Sequence, residues 1–322
     1  MYIKRILQTA AVAGFCTLLT NAHAQVSTDS LILHLPMNGD AADISGNGNN
    51  GTPINVVPAE DRFGSANGAY SFNGSSATIE IPASPTINKI QAVDEITITA
   101  WVKRNNVTAD VFAILERYNP ALDASYILEL NTYLGGIAFV GNPAAPSPLI
   151  TCNYANWNVN QWYHVAFSYS KTAGLAKFYV DGVSVCSIPY TIEIDIADST
   201  ASFWVGRSLT GPDEYSNGLM DDLKVYYRAL SDAEIVTSVE TEKQLKNRLT
   251  VYPNPAKESV NLDHLPAGAK VILTDLTGKE VNRSLAKGET LNLSTKELDN
   301  GIYFIRVESQ GSSAARKLII RK

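Results

Sequence analysis

The tightest constraint on this chain is a recurring short pattern. Apolar and polar side chains alternate over brief segments, and each segment is closed by Gly, Pro, Asn or Asp. Ile96, Ile98 and Ala100 alternate with Thr97, Thr99 and Trp101, and Val165, Phe167 and Tyr169 alternate with smaller residues. A period of two sends successive side chains to opposite faces of a strand and cannot form the stripe of a helix. Phe178 and Val180 run into Asp181-Gly182, a two-residue hairpin signal, and Val183 and Val185 lead out of it. The pattern predicts strands near 31–37, 69–74, 77–82, 95–104, 111–118, 126–131, 136–141, 162–170, 175–187, 202–207 and 218–228. Further strands are expected near 258–262, 269–274, 280–284, 289–293, 301–308 and 314–320. One helix is expected, opened by a capping box with Ser231 as N-cap and Glu234 at the third helical position, and running to about Val239. Many antiparallel strands with almost no helix make an all-β sandwich or barrel.

The first 24 residues stand apart. Lys4 and Arg5 precede an uncharged apolar run over 6–20, and Ala22-His23-Ala24 is a small-residue cleavage site, so a signal peptide is expected to end there and the mature chain to begin at Gln25. The run is short for a membrane span, which needs about 20 apolar residues. A lipid anchor on Cys16 would require a small residue where Phe15 stands. No other stretch can cross a membrane, so the mature chain is expected to be exported and free of transmembrane segments.

Charge divides what is left. Residues 25–248 carry 13 basic and 24 acidic side chains, and residues 249–322 carry 11 and 8. The whole chain is at −6, which argues against a nucleic-acid partner, because phosphates call for a basic surface. The join falls at the charged run ETEKQLKNR (240–248), followed by Tyr252-Pro253-Asn254-Pro255. The expected division is a large unit over 25–240, a linker over 241–250 and a small β-sandwich over 251–322. Cleavage removes Cys16 and leaves Cys152 and Cys186, which in an exported protein read as one disulfide, two free thiols being the alternative.

The segments LILHLPMNGDAADISGNGNNGT (31–52), RFGSANGAYSFNG (62–74), EITITAWVKR (95–104), QWYHVAFSYS (161–170), KFYVDGVSV (177–185) and LMDDLKVYYRALSDAEI (219–235) together resemble the laminin-G-like jellyroll domains of the concanavalin A-like lectin/glucanase superfamily. The resemblance implies a two-sheet jellyroll and says little about ligand. VYPNPAKESVNL (251–262), VILTDLTGKEV (271–281), LDNGIYFIRV (298–307) and KLIIRK (317–322) resemble the C-terminal sorting domain of type IX secretion substrates. That resemblance implies recognition of 251–322 by the type IX machinery, passage across the outer membrane, and release or attachment at the cell surface. Lys317, Arg321 and Lys322 would then belong to a recognition surface; as isolated charges they are ordinary solvated side chains.

Two polar constellations suggest chemistry. Asp43, Ser45 and Asn47 place oxygens at alternate positions before Gly48, like the opening of a calcium loop, although Ile54 stands where the closing glutamate belongs. Asp221 lies between Leu219 and Leu223, with Val225 and Tyr227 further along, and alternation puts its carboxylate on an apolar face, where a charge needs a partner. Laminin-G-like jellyrolls often hold one structural Ca²⁺ between the N-terminal loop and the last strand. The resemblance therefore implies Asp43 and Asp221 as ligands, with Asn47 and Asn38 beside them; an Asn/Gly turn held by its own hydrogen bonds is the alternative. Glu193, Asp195 and Asp198 nearly spell the E-x-D-x-x-E motif of β-glucan hydrolases on this fold. The last carboxylate is one methylene short for retaining hydrolysis, and Ile192, Ile194 and Ile196 give the segment an ordinary half-buried strand pattern.

Aromatic side chains supply the remaining lead. Trp157 and Tyr154, in the loop-like NYANWNVNQ (153–161), and Tyr215 are candidates for stacking on a sugar ring, with packing over the sandwich as the competing fate. Trp101 and Trp162 lie in strand segments and are expected in the core, and His164 is expected to be structural. The resulting expectation is a non-catalytic, secreted or surface-attached carbohydrate-binding or adhesion module with a glycan or surface protein as partner. The alternatives are a glycoside hydrolase using Glu193 and Asp198, and a structural protein-binding module.

Overall fold

The computed structural model describes residues 30–322 except 65, 107–110, 120–123, 132–135, 141–148, 195–199, 209–213, 237, 238, 240–248, 267, 310 and 311. The expected signal segment, most of the expected linker, and Asp195 and Asp198 lie outside the described residues. Residues 30–239 form two stacked antiparallel sheets. The first runs Val183–Pro189, Leu175–Val180, Trp162–Ser170, Glu95–Arg104, Asn217–Tyr226, Ala69–Asn73, Val57–Ala59, and Leu31–Leu35 also pairs with Asn217–Tyr226. The second runs Leu149–Asn153, Gly136–Val140, Ala124–Asn131, Val111–Asn119, Phe203–Val205, Thr78–Ile81, Thr52–Ile54.

The alternation in the sequence is what closes these sheets on each other. Ile96, Ile98, Ala100 and Val102 face inward with Val165, Phe167 and Tyr169 of the neighbouring strand. From the second sheet Ile79, Ile81, Phe203 and Val205 meet them in one continuous core. Each fully buried large apolar side chain favours the folded chain by about 1.5–3 kcal/mol, so this layer is the main source of stability. The disulfide Cys152–Cys186 joins the edge strand of one sheet to the edge strand of the other, with Cα atoms 5.8 Å apart. It staples the sandwich where no strand pairing holds the two layers together.

Residues 249–322 build a second, separate core around Val260, Leu262, Val271, Leu273, Ile305, Val307 and Leu318. A three-stranded sheet (Thr250–Tyr252, Ser259–Asp263, Thr290–Ser294) packs against a four-stranded one (Glu280–Leu285, Lys270–Thr274, Gly301–Ser309, Ser312–Ile320).

The expected strands are present with shifts of a few residues, and Asp181 (φ 50°) and Gly182 (φ 80°) make the expected tight hairpin. Strands Thr52–Ile54, Val57–Ala59, Leu149–Asn153 and Thr250–Tyr252, and the short helix Lys89–Val93, go beyond the sequence expectation. The first two contain Pro53 and Pro58, which demote a segment in a sequence reading but are tolerated at a sheet edge. The capping box is formed: the Ser231 amide and hydroxyl both donate to Glu234 Oε2, each at 2.9 Å. Two expectations are corrected. The described residues 191–194 are irregular rather than a strand, drawn in by the Ile194 amide, which donates to Asp94 Oδ1 at 2.9 Å. Trp101 and Trp162 lie on the outer face of the first sheet rather than in the core, Trp101 buried beneath Arg62 and Trp162 half-buried opposite Lys103, whose ammonium lies 5.4 Å from its ring.

Candidate functional site

The loop 43–49 is organised around the Asp43 carboxylate. Oδ1 accepts from the amides of His34 and Ser45, both at 2.9 Å, and Oδ2 accepts from the Ser45 hydroxyl and the Asn49 amide, both at 2.9 Å. This is an Asx turn extended into a closed ring of donors. Asn47 points its amide at Leu31 O (2.9 Å) and Ser45 Oγ (3.0 Å), and Asn38 is half-buried.

Asp221 is placed elsewhere than alternation implies. The strand Asn217–Tyr226 carries a bulge between Asp221 and Lys224, with Asp222 in the left-handed region at φ 53°. The extra residue reverses the parity. Met220, Leu223 and Val225 all reach the core, and Asp221, paired across the sheet with Trp101, lies on the opposite face. There it forms a buried ion pair with Arg62. The guanidinium also lies over Phe63 (4.3 Å) and Trp101 (4.8 Å). Of the two carboxylates expected to share a Ca²⁺, one is thus ringed by N–H and O–H donors and the other faces a cation. Among the described residues no three His, Cys, Asp or Glu side chains gather as metal ligands.

Asp222 completes a buried polar cluster. It accepts from His34 Nε2 at 2.6 Å and from Lys224 Nζ at 2.7 Å, with Arg62 Nη2 at 3.6 Å. Burial alone would raise its pKa, but Lys224, His34 and Arg62 outweigh that and hold its carboxyl well below the usual range. Burial also lowers the pKa of His34, against the pull of Asp222, so the imidazole is neutral and donates from Nε2. None of these residues except Asp221 was expected to act. The signal available in the sequence was the acidic pair Asp221-Asp222 facing an apolar strand.

The outer face of the first sheet is further covered by the helical turn 232–236. Ile235 and Leu230 pack on Leu31, Ala166, Tyr179 and Tyr226. Asp232 ties the turn down by accepting from Tyr179 Oη and Lys177 Nζ, both at 2.7 Å.

The expected aromatic residues fall in two places. Tyr154 and Trp157 stand edge to face at 4.7 Å, and Trp157 does the same with Tyr163 at 5.1 Å. Tyr163 Oη accepts from the Asn158 amide at 3.0 Å and donates to Asn156 O at 3.2 Å, which pins the loop beside Cys152. Tyr154 and Trp157 are half-buried and lean on the core. Tyr215 lies apart from them, paired with Arg207 in a two-residue ladder. The Arg207 guanidinium is 5.4 Å from the rings of both Tyr215 and Trp204. Trp204 had not been singled out, although parity marks it: Phe203 and Val205 are core residues, so the residue between them must face outward. Gly206 allows the close turn between Trp204 and Arg207, since at φ 79° a Cβ there would overlap the Phe72 ring.

Glu193 is exposed and accepts from Lys171 Nζ at 2.5 Å, and that hydrogen bond lowers its pKa. Lys171 reaches Asp94 Oδ2 at 3.2 Å as well. Among the described residues no helix is long and apolar enough to cross a membrane.

Comparison with known proteins bears on both cores. Residues 73–236, about half of the chain, match the concanavalin A-like lectin/glucanases superfamily. Residues 250–321 match the secretion system C-terminal sorting domain, the type IX sorting module. No curated protein matches the chain significantly. Domain 4 of AbnA, a GH43 extracellular arabinanase from Geobacillus stearothermophilus, was solved in complex with arabinotriose; it is 24 % identical over 64 % of this chain and 97 % of its own, with a TM-score of 0.49. The binding domain of botulinum neurotoxin DC, in complex with rat synaptotagmin II, has a TM-score of 0.53 at 12 % identity, over 89 % of this chain and 73 % of that one. A structure of botulinum neurotoxin type C, whose cell entry depends on interaction with two ganglioside molecules, has a TM-score of 0.51 at 12 % identity, over 87 % and 66 %. At these identities the two toxin structures share the fold with this chain.

Proposed function

Because this chain belongs to the concanavalin A-like lectin/glucanases superfamily, we propose that it is an exported, non-catalytic glycan-binding module of the cell surface or the secreted fraction. The observation that carries the reading is the set of half-exposed aromatic side chains, Tyr154, Trp157 and Tyr215, held at the margins of a rigid sandwich. An aromatic face with polar groups beside it binds the C–H face of a sugar while hydrogen bonds read its hydroxyls. The dependence of botulinum neurotoxin type C, a fold relative, on two ganglioside molecules for cell entry is in keeping with a glycan ligand. The sorting-domain match supports export by type IX secretion through 251–322, after removal of 1–24, with 25–240 as the cargo and 241–250 as the linker.

A hydrolase using Glu193 and Asp198 is the second reading. Glu193 is exposed and ion-paired with Lys171, so its ionised carboxylate suits the nucleophile and Asp198 would have to donate the proton that glycoside cleavage requires. A protein ligand is the third, and the synaptotagmin II complex of a fold relative is what favours it.

A glycan array probed with the mature chain, with and without Ca²⁺, tests the proposal. Saturable binding to a defined glycan class is expected. A folded protein that binds no glycan overturns the reading, and release of reducing ends, lost in Glu193→Gln, replaces it with the hydrolase. Deleting 249–322 is expected to leave the cargo in the periplasm; surface delivery of the truncated chain would sink the sorting assignment.

A further inference from the structure

The two outer faces of the large sandwich are not equivalent. On the first sheet, the helical turn 232–236 and the Arg62 segment lie over the strands, and the polar groups beneath them are paired with one another. The outer face of the second sheet carries Trp204 at its centre. Phe203 and Val205 are 1 % and 0 % exposed, whereas Trp204 between them is only half-buried, so its ring leaves the core side. Cross-strand register sets a carboxyl group on each flank, Glu80 on one neighbouring strand and Glu116 on the other. Directly opposed residues share a face of the sheet, with Cβ atoms about 5 Å apart. Arg207 stands between Trp204 and Tyr215, its guanidinium 5.4 Å from each ring.

We infer that Trp204, Arg207 and Tyr215, with Glu80 beside them, form the principal glycan subsite, and that its ligand is a neutral oligosaccharide. This deepens the reading above and rests on it. The rings supply apolar area for sugar C–H groups, and the guanidinium fixes the two aromatic side chains before a ligand arrives, so less ordering entropy is lost on binding. The Ser202 hydroxyl donates to Glu80 Oε1 at 2.8 Å, which orients the carboxylate and leaves Oε2 to accept from a sugar hydroxyl. The ligand class follows from charge. Glu80 and the fully buried Glu116 set two carboxyl groups beside Trp204, on the face that carries one guanidinium. A uronate or a sialylated glycan would bring a further negative charge into that surrounding, while a neutral sugar presents hydroxyl donors to the same oxygens.

Titration calorimetry on the mature chain tests this, with arabinotriose, xylotriose and cellotriose as neutral probes and trigalacturonate and sialyllactose as anionic ones. At least one neutral probe should bind. Trp204→Ala should weaken it by about 30-fold, as expected for a central aromatic contact, and Glu80→Gln by about tenfold. Trp162→Ala, on the outer face of the other sheet, should leave the affinity unchanged. Tyr215→Ala, at the rim, provides a second reading should Trp204→Ala melt early; it should also lose affinity. Retained binding in both Trp204→Ala and Tyr215→Ala, with loss in Trp157→Ala, overturns the location and leaves glycan binding standing. Binding confined to the anionic probes overturns the ligand class. A folded wild-type chain that binds no glycan on the array removes the parent reading, and this inference goes with it.

Discussion

Replacing Asp222 by Asn tests the buried polar cluster with little change of shape. Asn tolerates the left-handed φ of 53° at this position, so the backbone need not move. The charge alone is removed. Lys224 Nζ, 2.7 Å away on a side chain 5 % exposed, and Arg62 Nη2, 3.6 Å away at 3 % exposure, both lose it. At an effective dielectric of 20, the Lys224 contact alone corresponds to about 6 kcal/mol of attraction, most of which offsets desolvation of the two ions. Breaking such a pair by removing one partner leaves the other charge buried and costs about 3–5 kcal/mol. For a domain of this size the melting temperature should fall by about 2–4 °C per kcal/mol, or about 6–20 °C in all. Differential scanning calorimetry at pH 7 measures it. The double variant Asp222→Asn/Lys224→Met should recover much of the loss, since the stranded ammonium is gone. The pH profile gives a second signature. The Asp222 carboxyl is depressed in the folded state, so its stabilisation is present above the unfolded value near 3.8 and is lost as pH falls through the folded one. The gap between wild type and Asp222→Asn should therefore narrow below about pH 4. A loss under about 1 kcal/mol at pH 7, the value of a solvent-exposed pair, would refute the buried-cluster account.

Three further outcomes are expected. Reducing the Cys152–Cys186 bond, or replacing both residues by Ala, should cost about 4 kcal/mol in the chain-entropy limit for a sequence separation of 34; an unchanged melt, or a free-thiol titre of two in the native protein, contradicts the staple. His34 is depressed in the folded state, so its contribution is present above the unfolded value near 6.5 and is lost on acidification below it. The melting temperature should then fall between pH 7.5 and 5.5 in the wild type and fall less in His34→Gln, and equal slopes would count against a buried neutral imidazole. Chelation should leave the melting temperature unchanged, since Asp43 accepts from four donors and Asp221 pairs with Arg62; a large drop on chelation, reversed by Ca²⁺, would support the calcium expectation instead.

The sandwich was legible in the sequence because its cause is local. Period-two alternation in 95–104 and 162–170 fixes which side chains meet in the core, and Asp181-Gly182 fixes a hairpin without any distant information. The short edge strands around Pro53 and Pro58 were hidden because nothing local distinguishes them from loops until a neighbouring edge recruits them. Asp221 shows where parity fails: one inserted residue turned its carboxylate from the core to the opposite face, and nothing in the local pattern marks the bulge. The site was legible only in part. Trp157, Tyr154 and Tyr215 stood out as aromatics in loop-like segments. Trp204 was passed over inside a strand, although the same alternation that buries Phe203 and Val205 turns it outward. Its flanking carboxyl groups come from strands more than 80 residues away from it in the chain, a juxtaposition set by register alone.

Binding without turnover is the claim on which the functional account stands, and one nuclear magnetic resonance experiment addresses both halves of it. A neutral oligosaccharide selected on the array is held with the mature chain for days while saturation transfer and anomeric signals are followed. The account predicts transfer from protein to sugar, competed away by excess of the same sugar, with the anomeric signals unchanged throughout. New reducing-end signals that grow with time would contradict it.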